Sequence, residues 1–432
     1  MPIKKTLLTI MLAASMLAVE AQDTNYVRYL LRQLTSEQFY GRGYSFRGDS
    51  IAAEFIRSEM RRIGLKPLGD DYYQPYTFSV SSMEGPLFLD VNGKRLQAYK
   101  QYRVPPFSQS AWGKYKVITL PAETLLDAEK LKKFLKKNDD LLQEVFIYID
   151  ATADIAVDEN TQKRYDAFLN NLHLRNPFNS KGVIVGKKEL STYTPAYTDI
   201  EHNYTYIEVL ASAMPSKVKR IDCSIFSQFH RKYPTQNLYG YVQGEVDTMM
   251  VFTAHYDHLG TMGDSIIFYG AHDNASGVAA VLDLARMTAA EHPHYTHLFC
   301  FFSGEEAGLY GSKYASEHPL FDFDKVRLLV NIDMFCGGDE GLMIFNAEAP
   351  ETKAYVERLE LLNTALKIAP EIRRRKNRAN SDHYYFTKKV PAIFILTMGQ
   401  RYGGYHDPDD TCDRCGLENY LNYITLISSL SF

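Results

Sequence analysis

Long hydrophobic runs are nearly absent from this chain of 432 residues. The one apolar stretch of note runs from Thr6 to Val19, and it falls short of the ~20 residues that a spanning helix needs. Nothing after it is apolar for long enough to cross a bilayer, which argues against stable membrane insertion of the rest. An excess of charge of one sign is lacking too. The net charge of -4 arises from 48 basic and 52 acidic residues, so there is no electrostatic footprint for nucleic acid. The densest basic run, Arg373-Arg374-Arg375-Lys376 with Arg378, reads as a solvated loop or helix face. Cysteine is sparse, with five in all.

What is present begins at the N-terminus. Lys4 and Lys5 precede the apolar run, and Val19-Glu20-Ala21 offers small residues after it. A positive start, a short apolar core and a small-residue exit make residues 1–21 a secretory signal. No cysteine follows the run, so lipid attachment there is disfavoured. The expectation is an exported protein, periplasmic or secreted. In such a chain Cys412 and Cys415, a C-x-x-C pair in a polar segment, read best as a small disulfide loop. Redox catalysis and zinc binding are weaker readings, because no thioredoxin-like unit or second pair accompanies them. Cys223, Cys300 and Cys336 lie in or beside apolar runs and read as buried thiols.

The rest divides by pattern. Residues 22–82 begin with helices, and Ile51, Phe55, Ile56 and Met60 keep a helical period that Gly64 ends. Residues 83–228 mix short alternating strands such as Val145–Ile149 and Gly182–Val185 with polar loops and a Lys-rich stretch. This segment is expected to be an inserted, mostly β domain. Residues 229–432 become regular. Met249–Ala254, Leu298–Phe302, Val326–Ile332 and Ala392–Leu396 are apolar runs of strand length, interleaved with helical patterns. Such alternation predicts an α/β fold with a mostly parallel sheet, in which ligands bind outside the carboxyl ends of the strands.

The residues that could bind metal fall at those ends. His255 and Asp257 follow the first run, Glu305 and Glu306 the second, and Asp333 the third; His406 lies in the loop after the fourth. Asp273 opens a helix in Asp273-Asn274-Ala275-Ser276-Gly277. Imidazole and carboxylate suit zinc. Two zinc ions ~3.5–4 Å apart need a shared carboxylate, and a short Asp fixed at a helix start fits that bridge. Adjacent glutamates point apart, so one can bind metal while the other serves as a base for the attacking water. Asp257 is placed to receive the second ring proton of His255. Singly these signals are weak: a helix-opening Asp is most often a cap, and His258, His272 and His383 read as ordinary buried or surface histidines. It is the ordered series at successive strand ends that makes chance improbable.

As an ordered set, these segments resemble the co-catalytic zinc exopeptidases of the bacterial leucyl aminopeptidase and aminopeptidase S type. Glutamate carboxypeptidases and glutaminyl cyclases are relatives. The matching segments are His255-Tyr256-Asp257-His258, Asp273–Gly277, Ser303–Ser312, Asn331–Met334, Ser381-Asp382-His383 and Tyr405–Thr411. The likeness is strong over about 235–430 and looser over 25–82. It implies a phosphorylase/hydrolase-like three-layer α/β sandwich with a mixed, mostly parallel sheet. It also implies two zinc ions, one held by His255 and Asp333, the other by Glu306 and His406, with Asp273 bridging. Glu305 would be the general base, and Asp382 would orient His406. The insertion resembles a lid or protease-associated domain.

The implied activity is hydrolysis of peptide bonds, with release of N-terminal residues as the leading form. A carboxypeptidase needs arginine for a terminal carboxylate, and Arg401 stands in the loop before His406. Tyr402 and Tyr405 in the same loop could shape a side-chain pocket. A glutaminyl cyclase-like acyltransferase is the rival within the fold; an inactive zinc-binding, receptor-like ectodomain is the rival of another class.

Overall fold

The computed structural model describes residues 24–68, 71–153, 157–193, 201–399 and 404–431. The signal read at 1–21 lies outside them. No helix among the described residues is long and apolar enough to cross a membrane.

The apolar run at 249–254 lies within the strand Val246–His255, inside a nine-stranded sheet. Tyr295–Phe302 and Val326–Ile332 flank it in parallel, and Ala392–Met398 runs parallel to Val326–Ile332. Ser227–Val242 pairs antiparallel with Tyr295–Phe302, and Gly341–Phe345 pairs antiparallel with Ala392–Met398, so the sheet is mixed. Successive residues of one strand enter different cores, as a period of two requires. Met250, Phe252 and Ala254 join the helices Thr24–Leu34, Gly48–Ile63, Ser276–Ala289 and Tyr420–Ser428 on one face. Val251 joins Leu298, Cys300, Ala315 and Phe386 on the other. Both faces are covered, which explains why these strands are almost wholly apolar.

A second, eight-stranded sheet is built from residues between Phe88 and Ile225. Its four middle strands, Ala111–Thr119, Val145–Asp150, Gly182–Lys187 and Thr205–Leu210, are parallel. The expected β segment thus also carries helices, in the crossovers between its strands. Parallel strands need crossovers of a dozen or more residues, and the helices Ala128–Asn138 and Glu159–Asn171 occupy two of them. The Lys-rich stretch is the first of these helices, with Leu131, Phe134 and Leu135 against the core.

The two sheets meet along Tyr73–Met83 and Ser227–Val242, which pair from Leu238 opposite Tyr73 to Ser227 opposite Met83. The chain thus leaves for the second sheet and returns from it at one point. Leu259, Met262 and Phe268, from the loops beyond His255, share a core with residues of the second sheet.

Candidate metal centre

His255 is the last residue of its strand. Its Nδ1–H donates to the backbone carbonyl of Asp257 at 3.1 Å, which leaves Nε2 free of that proton. Nε2 lies 3.2 Å from Asp333 Oδ1 and 3.3 Å from Asp273 Oδ1. On the far side, His406 Nε2 lies 3.3 Å from Asp273 Oδ2 and 3.2 Å from Glu306 Oε2. Asp273 therefore stands between two imidazoles, one carboxylate oxygen toward each. Glu305 groups with His255 and Asp333, and His258 with Asp273 and Glu306, in clusters whose ligand atoms lie within 4.8 Å of one another. All these residues are buried except Glu305 and Glu306, which are half-buried as whole residues although the Glu306 side chain is only 4% exposed.

Hydrogen bonds hold this geometry from behind. Asp410 accepts the backbone N–H groups of His272 and Asp273 at 2.8 and 3.1 Å. The Asn274 amide donates to the Ile332 carbonyl at 3.1 Å and accepts from Gly277 and Met334. That one side chain ties the Asp273 turn to the strand end carrying Asp333. Ser381 donates to Asp333 Oδ2 at 2.8 Å and receives a bond from Asn331, which is itself bonded by Thr253.

The electrostatics follow from crowding acids around two imidazoles. Burial alone would lower His255, but Asp333 and Glu305 hold it well above the usual imidazole range. Burial likewise works against His406, which Glu306 and Asp273 nevertheless raise to about 11. Burial is the largest influence on Glu305 and lifts its carboxyl well above normal; His255 opposes this, while Glu306 and Asp333 add to it.

Two supporting residues act differently from expectation. Asp257 does not receive the His255 proton on its carboxylate, which lies 3.8 Å from Nδ1; its backbone carbonyl does. The carboxylate instead accepts the N–H groups of Glu305 and Glu306 at 3.2 and 3.3 Å and the Tyr44 hydroxyl at 2.6 Å. Asp382 does not orient His406, whose Nδ1 donates to the Tyr193 carbonyl at 3.2 Å. Burial lifts Asp382 to about 7, and the charge of His255 is the main influence against that rise. Spacing brought Asp382 to the site but did not say beside which histidine.

Other residues join that the sequence left aside. His258 bonds Glu306 Oε1 through Nδ1 at 2.6 Å, which leaves Oε2 directed at His406. The repeated histidine of His255-Tyr256-Asp257-His258 was the available signal. Tyr193 and Arg42 had none, since both act across long sequence separations. Tyr405 is exposed and stacks on His406 with ring centroids 3.9 Å apart, while Arg401 and Tyr402 lie outside the described residues. A cavity of about 280 Å³, lined by His272, Met334, Cys336, Thr397 and Tyr405 among others, adjoins the chain beside Asp333 and His406. Cys336 is not a free thiol: it pairs with Cys415, and Cys412 stays free.

The donor set is that of a zinc site. Ligands 2.0–2.1 Å from a tetrahedral ion lie about 3.3 Å apart, and the four histidine–carboxylate separations are 3.2–3.3 Å. His406 Nε2 is also buried without a hydrogen-bond partner, an arrangement that a cation between it and its carboxylates would satisfy.

Residues 237–430 match the sequence model of Peptidase family M28. That likeness spans 194 of the 432 residues and takes in every candidate ligand named above. The chain is 23% identical over 255 residues to a probable leucine aminopeptidase of Arthroderma otae, covering 57% of this chain and 70% of that one. It is 30% identical over 143 residues to a probable zinc metalloprotease of Leptosphaeria maculans, of which it spans only 30%. The zinc aminopeptidase of Bacillus subtilis superposes with a TM-score of 0.65 at 16% identity, covering 95% of this chain and 94% of that one. A peptidase M28 precursor of Shewanella amazonensis gives 0.62 at 18% identity, covering 95% and 96%. These likenesses are of fold, and at such coverage they take in both sheets.

Proposed function

We propose that the chain is an exported di-zinc aminopeptidase. The observation that carries this reading is the Asp273 carboxylate, with one oxygen 3.3 Å from each of two histidine nitrogens. His255 and Asp333 would hold one zinc, Glu306 and His406 the other, and Asp273 both. When bound, the zinc ions supply Lewis acidity that polarises a scissile carbonyl and acidifies a water.

The protein's part is proton handling and orientation. Glu305, to which this reading assigns no ligand role, takes the proton of the attacking water and returns it to the departing amine. A carboxyl raised by burial and neighbouring acids is suited to both directions of transfer. Backbone carbonyls on the Nδ1 atoms of His255 and His406 keep each Nε2 available for metal. His258 holds one oxygen of Glu306 so that the other faces the metal. The cavity beside Met334 and Tyr405 would receive the side chain of the N-terminal residue, and the second sheet would limit which peptides reach it.

Export is supported by the leader at 1–21 and by the Cys336–Cys415 pair, which suits an oxidising compartment. Turnover of paired free and N-acetylated dipeptides by zinc-loaded protein tests the reading. Cleavage of the free peptides alone is expected. Cleavage restricted to the acetylated peptides would replace an aminopeptidase by a carboxypeptidase-type enzyme.

A further inference from the structure

Arg42 is fully buried, the largest side chain with that property outside the aromatics. Its guanidinium is spent on backbone carbonyls. Nε donates to Tyr256 at 2.9 Å, one terminal nitrogen to Leu34 at 2.9 Å and Tyr269 at 2.7 Å, and the other to Gly270 at 2.7 Å and Asp273 at 3.3 Å. Two of these acceptors bracket the metal centre: Tyr256 follows His255, and the last is the carbonyl of Asp273 itself. The Arg42 carbonyl also accepts the N–H of His258 at 3.2 Å, and that of Gly41 accepts the N–H of Gly260.

The chain is shaped to deliver this group. Tyr40, Gly41 and Arg42 are consecutive left-handed residues, with φ of 45°, 60° and 51°, a conformation that side chains disfavour. A Cβ on Gly41 would lie 2.3 Å from the Phe268 carbonyl oxygen, and one on Gly43 would lie 2.3 Å from Gly260 Cα. Two glycines thus let the segment press against the loops beyond His255, with Arg42 between them. Asp410, Asp273, Asp257 and Glu306 all favour the charged form of the guanidinium, although burial lowers it to about 10. This buried guanidinium sits behind a cluster of carboxylates.

We infer that Arg42 is a positioning residue of the metal centre, whose guanidinium fixes the His255 loop and the Asp273 turn relative to each other so that the Asp273 carboxylate falls between the two histidines. Five N–H donors in a rigid plane can hold five carbonyls from three segments; the three donors of a lysine ammonium on a flexible stem cannot reproduce that fork. The inference rests on the zinc-site reading above. It goes beyond that reading in assigning part of the site's geometry to the N-terminal segment, outside residues 237–430.

The test is the rise in melting midpoint that zinc produces in wild type, R42K and R42Q, followed at several zinc concentrations, with kcat and KM beside it. Ligand binding to the native state raises the midpoint by an amount that grows with the logarithm of affinity, so the increment reports on the site separately from the fold. Both variants are expected to bind zinc about 10- to 100-fold more weakly, the range for loss of a group supporting metal ligands. Their zinc-dependent increment therefore shrinks in addition to any fall of the zinc-free midpoint, and kcat drops with KM little changed. Equal lowering of zinc-free and zinc-loaded midpoints, with the increment intact, would overturn the inference. So would failure of both variants to fold at saturating zinc, because the guanidinium would then support the fold as a whole. A wild-type protein with no zinc increment would instead remove the metal-site reading on which the inference stands.

Discussion

The Asp257 carboxylate accepts the backbone N–H of Glu305 at 3.2 Å, so the residue that was expected to orient a metal-binding histidine shapes the turn carrying the proposed general base. Its second oxygen takes the N–H of Glu306 and the hydroxyl of Tyr44. D257N puts an amide nitrogen against one of these donors and leaves a buried group unpaired. Turnover is expected to fall roughly 10- to 100-fold. Zinc binding at His255 should persist, because that ring is oriented by a backbone carbonyl. Y44F, which removes one of the three donors, should lose less. Steady-state kinetics with zinc analysis of the three proteins checks this; zinc loss in D257N equal to its loss of activity would contradict it.

Glu305 is proposed to move protons and not to hold metal. E305Q should therefore reduce kcat by roughly a thousandfold, within the range for loss of a general base. Its zinc content and KM should stay near wild type. Parallel loss of zinc and activity would make Glu305 a ligand.

Cys336 and Cys415 join the loop after Asp333 to the C-terminal segment across 79 residues of sequence. C415S should lower unfolding stability by about 2–4 kcal/mol, while C412S should change it little. Denaturant titration measures the difference, and a non-reducing peptide map should recover the 336–415 link. A 412–415 link in that map would contradict the structure.

Asp49 is buried beneath the turn that follows Ser303, where Tyr233 and Thr235 donate to it at 2.6 and 2.9 Å and Thr235 meets Ser303 at 2.8 Å. Burial raises it from 3.8 to about 6 despite these bonds. A raised carboxyl takes up a proton on folding, so its favourable contribution is complete below about pH 4 and lost as pH rises through about 6. That shift corresponds to about 3 kcal/mol. The stability of D49N relative to wild type should therefore move in favour of Asn by up to that amount between pH 4 and pH 8. A difference independent of pH would contradict it.

Much of the site was legible because strands buried on both faces leave continuous apolar runs, and each run stopped where His255, Glu305 or Asp333 begins. Asp273 was legible from its place at a helix start. Partners chosen by tertiary proximity were not. Nothing in the spacing of Ser381-Asp382-His383 says which histidine it will face, and the carbonyl that does face His406 belongs to Tyr193, 213 residues away. The same limit applies to Cys415, whose near neighbour Cys412 was the natural local choice over Cys336. In the second sheet, three apolar positions among lysines at 130–137 gave too thin a stripe to announce a helix, yet a parallel crossover required one.

Zinc counted per chain in wild type and in D273A, after dialysis against a defined free-zinc buffer, decides whether the site holds two ions. With Asp273 proposed to bridge the two halves of the site, the wild type is expected to hold two zinc ions per chain and D273A to lose both together with activity. A wild type that saturates at one zinc, or a D273A protein that still holds two, would contradict the account.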